Sequence, residues 1–406
     1  MSQPQTVTVL GAGVVGMATA LTLADRGHRV TVIDAAEGPG LGTSFANGAQ
    51  LSYAYTDALA SPATLAQMPR LVLGAEPAFR LRLSLDPEFL RWGLAFVRNS
   101  SAGRFRRNTL AGLALAFRSR EALRRLVSDH DLEFAHSCPG KIHLYRSAKS
   151  FASAQKTAAL KAAQGVRQQL LDPDQVIAME PMLSAIRNDI VGALYTADEE
   201  VGDPYRFCTS ARIALTATGR GTGLFGVTVD RIEADEQRPA VITAGGQRIV
   251  ADRVVLCAGS QSAALARSLG ISLPILPMKG YSITTPPGPA APTISVTDVA
   301  NRVVFARLGN RMRIAGLADL GARDTNIEPK RHRALVRSAR AALPQAAQYD
   351  SIESSWAGLR PMTPDSLPIT RTIAHRVIAN TGHGALGWTY AAGSAERVAD
   401  IIEGRD

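Results

Sequence analysis

Three cysteines in 406 residues, Cys138, Cys208 and Cys257, lie far apart and form no CxxC pair. That spacing offers neither a disulfide framework nor a cysteine zinc site. The seven histidines supply no HExxH or paired-ligand spacing, so no metal is expected. No apolar run reaches the roughly 18 to 20 residues that a membrane-spanning helix needs. Met1 to Gln5 leads directly into strand-like sequence without a charged, apolar leader, so a cytoplasmic chain is expected. Internal repeats are missing, and low complexity is confined to short loops such as Pro286 to Pro292.

Acidic charge is also in short supply. The net charge is +10, carried mainly by arginine. No recognised nucleic-acid module accompanies it, and nucleic acid is not expected as a partner. Basic residues concentrate between Arg70 and Arg125, where Phe79, Leu83, Leu85, Phe89, Leu90, Trp92, Leu94 and Phe96 alternate with Arg80, Arg82, Arg91 and Arg98. Such a mixture suits peripheral contact with an anionic membrane, on the inner face of the cell membrane for a cytoplasmic chain. The alternative is a pair of surface helices that cover a core with one face and solvate their arginines with the other.

What is present begins at the N-terminus. Thr6 to Leu10 reads as a buried strand, Gly11-Ala12-Gly13-Val14-Val15-Gly16 follows at once, and a second strand, Arg29 to Ile33, ends on Asp34. Gly11 permits the tight turn, Gly13 lets a pyrophosphate approach the backbone, and Gly16 lets the helix pack on the sheet. Phosphates would face the free amides of a helix N-terminus, around Val14 and Val15. Asp34, just beyond the usual spacing of about twenty residues, suits a ribose diol. This is a dinucleotide-binding βαβ unit that by itself serves NAD or FAD.

Two later blocks repeat the strand-to-glycine-turn pattern: Arg253 to Leu256 with Cys257-Ala258-Gly259-Ser260, and Val377 to Asn380 with Thr381-Gly382-His383-Gly384 before a helix near Tyr390. One sheet therefore receives the first, a middle and the last segment. Arginine-rich helical patterns occupy roughly residues 62 to 135, and Lys149 to Gln169 reads as an alanine-rich helix. Strand-like pieces at Ile142 to Tyr145, Gly192 to Tyr195, Gly280 to Thr284, Arg302 to Ala306 and Arg311 to Ala315 predict an antiparallel sheet beside them. A substrate is expected in a pocket between the two domains.

Several segments together resemble the FAD-dependent D-amino acid dehydrogenases of the D-amino-acid-oxidase and glycine-oxidase superfamily, over nearly the whole chain. They are Gly42 to Tyr53, which is similar to the family's Thr-Ser-Phe-Ala-Asn loop, Val254 to Gly259, Pro277 to Ser282, Trp356 to Asp365, and Thr381 to Thr389. One departure stands out: the loop runs Asn47-Gly48-Ala49 where the typical order is Asn-Ala-Gly. The resemblance implies an α/β fold with a Rossmann-like FAD-binding domain of the GR2 type, assembled from residues 1–60, 200–275 and 355–406. An α+β substrate domain with a mainly antiparallel sheet would comprise 61–199 and 276–354.

It also implies a cofactor, FAD, held by Gly11, Gly13, Val14, Val15, Gly16, Asp34, Thr43, Ser44, Asn47, Ala258, Gly259, Gly382, His383, Gly384, Leu386 and Gly387. With a single dinucleotide motif, reduction of the flavin must come from the substrate. Amides of the Gly382 to Gly387 turn would stabilise negative charge on the reduced ring. Arg360 is the expected substrate anchor, because a guanidinium fork fixes a planar carboxylate as lysine's point charge does not; a structural pairing with Asp365 is the alternative. His383, Tyr53 and Tyr281 are further catalytic candidates, each with a structural alternative, and Lys279 is either near the flavin or in a salt bridge.

The implied reaction is oxidation of a D-amino acid, small or apolar, by hydride transfer from Cα to FAD; hydrolysis of the imino acid gives a 2-oxo acid and ammonia. Electrons would pass to a quinone or another acceptor. Two alternatives stay open: an oxygen-using amine oxidase acting on glycine, sarcosine or D-proline and hydroxyproline, and a non-catalytic flavin-binding protein of membranes.

Overall fold

The computed structural model describes residues 3–74, 76–234 and 237–405. Met1, Ser2 and Ala75, which fall in segments discussed above, lie outside them.

Strands rich in Val, Ile, Leu and Thr are mostly buried on both faces. Thr6–Leu10, Arg29–Ile33, Arg253–Leu256 and Val377–Thr381 pair in parallel, as such strands do when helices or sheets cover both sides. The six-stranded sheet has the order Ile369–Ala374, Val377–Thr381, Arg253–Leu256, Thr6–Leu10, Arg29–Ile33, Gly221–Leu224; the first pairs antiparallel and the rest parallel. One face carries the helices Val14–Asp25, Pro204–Ala217, Gly387–Ile402 and Ala102–His130 in a single apolar core. The other is covered by the small antiparallel sheet of Val229–Glu233, Ala240–Thr243 and Arg248–Val250.

The second sheet has nine strands. Its order is Ser354–Met362, Leu276–Thr285, Arg311–Leu320, Val303–Leu308, Ser295–Asp298, Lys141–Tyr145, Gly192–Thr196, Gln169–Leu171, with Phe79–Leu81 beside Arg311–Leu320. It is antiparallel except where Ser295–Asp298 meets Lys141–Tyr145 and where Phe79–Leu81 joins.

Several expectations need correction. The helical pattern over 62–135 is three helices, Pro62–Val72, Pro87–Asn99 and Ala102–His130, interrupted by the Phe79–Leu81 strand. Ala102–His130 falls within the expected substrate domain, yet Leu113, Ala116 and Leu123 bury among or beside the helices of the parallel sheet. The alanine-rich helix stops at Ala162, before Gly165 at φ +83°. The boundary at 355 also moves, because Ser354–Met362 is paired along its whole length with Leu276–Thr285. The strand that carries Arg360 therefore belongs to the antiparallel sheet.

In the segment 70–125, Trp92 and Phe96 face inward against Leu276, Met278, Leu320 and Met362. Leu73, Leu85 and Leu94 stand 82%, 90% and 74% exposed, with Leu83, Leu90 and Val97 exposed beside them. Among the described residues no helix is long and apolar enough to cross a membrane.

Candidate active site

The loop after the second parallel strand becomes the roof of a site because it crosses the antiparallel sheet strand by strand. Thr43 Oγ1 donates to Leu359 O at 2.9 Å, and Ser282 Oγ donates to Ala46 O. Arg313 Nη1 donates to Asn47 O at 3.0 Å. Gly48 lies over Val304, where a Cβ would stand 3.2 Å from Cγ2. Gln50 Nε2 donates to Ser295 Oγ at 2.7 Å, and Lys141 Nζ to Ser52 Oγ at 2.6 Å. These six contacts fall on six consecutive strands of the sheet, in order. Under and beside this segment runs a cavity of about 1410 Å³, from Gly11, Asp34 and Asp230 at one end, past Asn47, Gly259 and His383, to Arg360, Thr297 and Lys141.

At the nucleotide end, Gly11 has φ +102°, and a Cβ on Gly16 would lie 1.8 Å from Gly11 O. Both positions thus require glycine. Asp34 Oδ2 accepts the Ala12 amide at 2.6 Å and Oδ1 accepts Ala36 N at 2.9 Å, which ties the acid to the glycine turn while it still lines the cavity. Ser44 Oγ accepts the Val14 amide at 3.0 Å, so its observed partner is the helix start itself. Gly13 and Val15 line the cavity there. Asn47 folds its side chain onto Ala49 N at 2.8 Å, holding the loop from within. Ala49 sits at φ +58°, in the region that favours glycine.

Ala258 and Gly259 follow the Arg253–Leu256 strand and line the cavity; Thr381 Oγ1 donates to Gly259 O at 3.1 Å. Gly382 and Gly384 have φ of +77° and +56°, and the turn passes through Leu386 into a helix that begins at Gly387. The donor set fits a dinucleotide: a helix start whose Gly13 and Val15 line the cavity, an acid at the neighbouring strand end, and two glycine turns without side chains to fill the void.

His383 lies between these turns with Nε2 at 2.9 Å from Ser394 Oγ. Ser394 gives its own hydrogen to Ala391 O, so Nε2 carries the proton and Nδ1 keeps a lone pair. Burial pushes its pKa down to about 3, which keeps the ring neutral.

Arg360 is enclosed by protein but half-buried by area because it faces the cavity. Its guanidinium lies over Gly280, at a bulge between the Gly280 and Tyr281 pairings. Among the described residues it has no carboxylate partner, and burial alone holds its pKa below the ordinary arginine value. Asp365 is instead engaged by the Leu367 amide at 3.1 Å.

The other candidates are not brought to this point. Tyr53 is buried in the core of the parallel sheet and donates to Glu200 Oε2 at 3.0 Å, where His136 and Arg124 also converge. Tyr281 reaches the cavity wall, but its hydroxyl donates to Asp319 Oδ2 at 2.7 Å, part of a buried pair with Arg331. Lys279 is fully buried and donates to Asp324 Oδ1 at 2.7 Å and Asn326 O at 3.0 Å, a structural bridge.

Sequence reasoning missed the far end of the cavity. Lys141 and His143 project from one face of their strand, Tyr55 stacks on His143 with ring centroids 3.6 Å apart, and Thr297 is the cross-strand partner of His143. Both ring nitrogens of His143 and the Thr297 hydroxyl are buried without a hydrogen-bond partner among the described residues. The alternation Lys-Ile-His-Leu-Tyr carries a period-2 signal for a strand but none for a pocket. Among the described residues there is no group of three or more His, Cys, Asp or Glu that could hold a metal.

Comparison with known proteins places this geometry. The chain is 40% identical to D-amino acid dehydrogenase 2 of Ralstonia nicotianae, covering 98% of this chain and 96% of that protein. It is 39% identical to the D-amino acid dehydrogenase of Paramagnetospirillum magneticum, covering 98% and 95%. Among solved structures, glycine oxidase from Geobacillus kaustophilus superposes with a TM-score of 0.78 at 20% identity, over 100% of this chain and 96% of that one. L-proline dehydrogenase from P. horikoshii gives 0.76 at 19%, over 100% and 95%. These two structures share the fold. The sequence family described as FAD dependent oxidoreductase matches residues 6–401, and the chain belongs to that family, DAO.

Proposed function

We propose that this chain catalyses the FAD-dependent oxidative deamination of D-amino acids to 2-oxo acids and ammonia. The observation that carries the reading is Arg360, an enclosed guanidinium with no carboxylate beside it among the described residues, lining the cavity of a flavin fold. A buried charge without a partner is costly, and a ligand carboxylate removes that cost with two parallel hydrogen bonds. Both relatives quoted above are named for D-amino acids, which supports the choice of stereoisomer.

The residues that would hold FAD are Gly11, Gly13, Val14, Val15, Gly16 and Asp34 at the adenosine and pyrophosphate end, and Thr43, Ser44, Asn47, Ala258, Gly259, Gly382, His383, Gly384, Leu386 and Gly387 around the remainder. Bound there, FAD supplies a two-electron acceptor for the hydride lost from Cα. Arg360 anchors the carboxylate and so fixes the orientation of Cα; placement of this kind supplies much of the catalysis. His383, neutral and committed through Nε2–H to Ser394, offers an acceptor without adding charge. Above the substrate, the segment 43–52 excludes water.

The acceptor proposed for the electrons is a quinone reached at a membrane surface. The exposed Leu73, Leu83, Leu85, Leu90 and Leu94 beside the exposed Arg70, Arg91 and Arg98 support such a contact. The test of the reaction is anaerobic bleaching of bound flavin by a panel of D- and L-amino acids that includes D-proline and glycine. Bleaching by primary D-amino acids supports the reading. Bleaching only by glycine, sarcosine or secondary amines favours an amine oxidase, and none at all removes the enzyme reading.

A further inference from the structure

Polar groups mark both ends of the floor of the substrate cavity. At one end stands Arg360. At the other, Thr297 and His143 are cross-strand partners, and Lys141 shares the face of His143 two residues away. Between them the directly paired row runs Ser282, Ala315, Val304, Thr297, His143, so small and apolar side chains separate the two poles. Gly48 packs over Val304 and Ala315, where a Cβ would stand 3.2 Å and 3.6 Å from their side chains.

The distal pole is unfinished as protein structure. His143 is 2% exposed with both ring nitrogens unpaired, and Thr297 Oγ1 is unpaired as well. Buried polar groups are nearly always satisfied, and each exception calls for a ligand or a water. Lys141, 3% exposed, donates to Ser52 Oγ and sits 5.4 Å from the Tyr55 ring centroid. All of these groups line the cavity that contains Arg360. Lys141 adds a further donor to the pole, its charge partly offset by the buried Glu199 carboxyl group.

Resting on the proposed function, we infer that His143, Thr297 and Lys141 form a specificity pole that receives the carbonyl oxygen at the end of a long substrate side chain, a carboxamide or carboxylate. From Gly280, over which the Arg360 guanidinium lies, to Thr297 is three strand steps and a two-residue offset along the strand, roughly 16 Å. Only a substrate with a long side chain that ends in an oxygen extends from one pole toward the other. Of the common amino acids, glutamine and glutamate carry a side-chain carbonyl oxygen farthest from the α-carboxylate, so D-glutamine and D-glutamate are the substrates of choice.

The experiment compares D-glutamine with D-norleucine on the FAD-loaded enzyme and on His143→Leu and Thr297→Val. The wild type favours D-glutamine in kcat/KM, and each variant lowers the glutamine-to-norleucine ratio by roughly tenfold, the factor that one hydrogen bond carries. Thr297→Val conserves volume, and retention of bound flavin verifies folding in both. A second measurement requires no turnover: glutarate and valerate are titrated against the flavin absorbance. Glutarate binds about tenfold more tightly to the wild type, and His143→Leu abolishes the difference. An unchanged ratio in both variants, or valerate binding as tightly as glutarate, overturns the inference. If no D-amino acid reduces the flavin, the proposed function fails separately, and the two dicarboxylate and monocarboxylate titrations still decide the pole.

Discussion

The guanidinium of Arg360 lies so close against the backbone of Gly280 that a Cβ at position 280 would stand 2.5 Å from Nη2. The glycine is therefore part of how the arginine is aimed. Gly280→Ala should push the guanidinium off its position and raise the KM for D-alanine by roughly tenfold to a hundredfold, while FAD stays bound. Steady-state kinetics with an artificial dye, together with the flavin spectrum, checks this; an unchanged KM would show that Arg360 does not depend on that contact.

The exchanged loop order gives a second expectation. Gly48 needs no special backbone, whereas Ala49 adopts φ +58° with a side chain. The double change Gly48→Ala with Ala49→Gly, which restores the order typical of the family, should relieve backbone strain of about 1 kcal/mol. It should also crowd Val304, since the new Cβ lies 3.2 Å from Cγ2. Melting temperature should rise slightly while kcat/KM for D-norleucine falls several-fold more than for D-alanine. Equal loss for both substrates would place Gly48 away from the side-chain path.

Acid should unfold the protein through its buried histidines. Burial lowers His383 to about 3 and His143 well below 6.5, both neutral in the fold. The unfolded chain binds these protons first, so stability is full above about 6.5 and falls as pH drops from there toward 3. His383→Gln should flatten that decline in melting temperature measured between neutral pH and pH 4. A parallel decline in wild type and variant would assign acid sensitivity elsewhere.

The exposed leucines predict a surface property independent of the chemistry. Leu85→Asp with Leu94→Asp should weaken binding to phosphatidylglycerol vesicles by at least about tenfold, since each leucine contributes roughly 1.5 to 3 kcal/mol when it leaves water. Dye-linked turnover should be unaffected, because neither side chain lines the cavity. Sedimentation of the wild type with vesicles should weaken with salt; no sedimentation at low salt would remove the membrane reading.

What could be read in the sequence was what local backbone geometry enforces. Gly11, Gly382 and Gly384 announce turns that only glycine makes easily, Gly16 a close packing that only glycine allows, and Asp34 follows at a strand end, so the nucleotide end was legible. Arg360 was legible from its chemistry within a resembling segment. Tyr53 and Tyr281 were not, because what occupies their hydroxyls is fixed by tertiary structure: Glu200 lies 147 residues from Tyr53, and Asp319 lies 38 from Tyr281. Nor could periodicity reveal that residues 43–52 cross six strands, or that Lys141 and His143 share a cavity with Arg360. Domain boundaries shifted for a similar reason: helix Ala102–His130 is amphipathic in either setting, and only packing against Gly387–Ile402 decides where it belongs.

The central claim, that Arg360 holds the carboxylate of a D-amino acid for oxidation by FAD, is tested most directly by anaerobic titration of bound flavin with D-alanine and L-alanine in wild type and Arg360→Ala. The wild type should bleach with the D isomer and not the L. Arg360→Ala should remain yellow with FAD bound and need orders of magnitude more D-alanine. Bleaching of the variant at wild-type concentrations, or of the wild type by L-alanine in preference to D-alanine, would contradict the account.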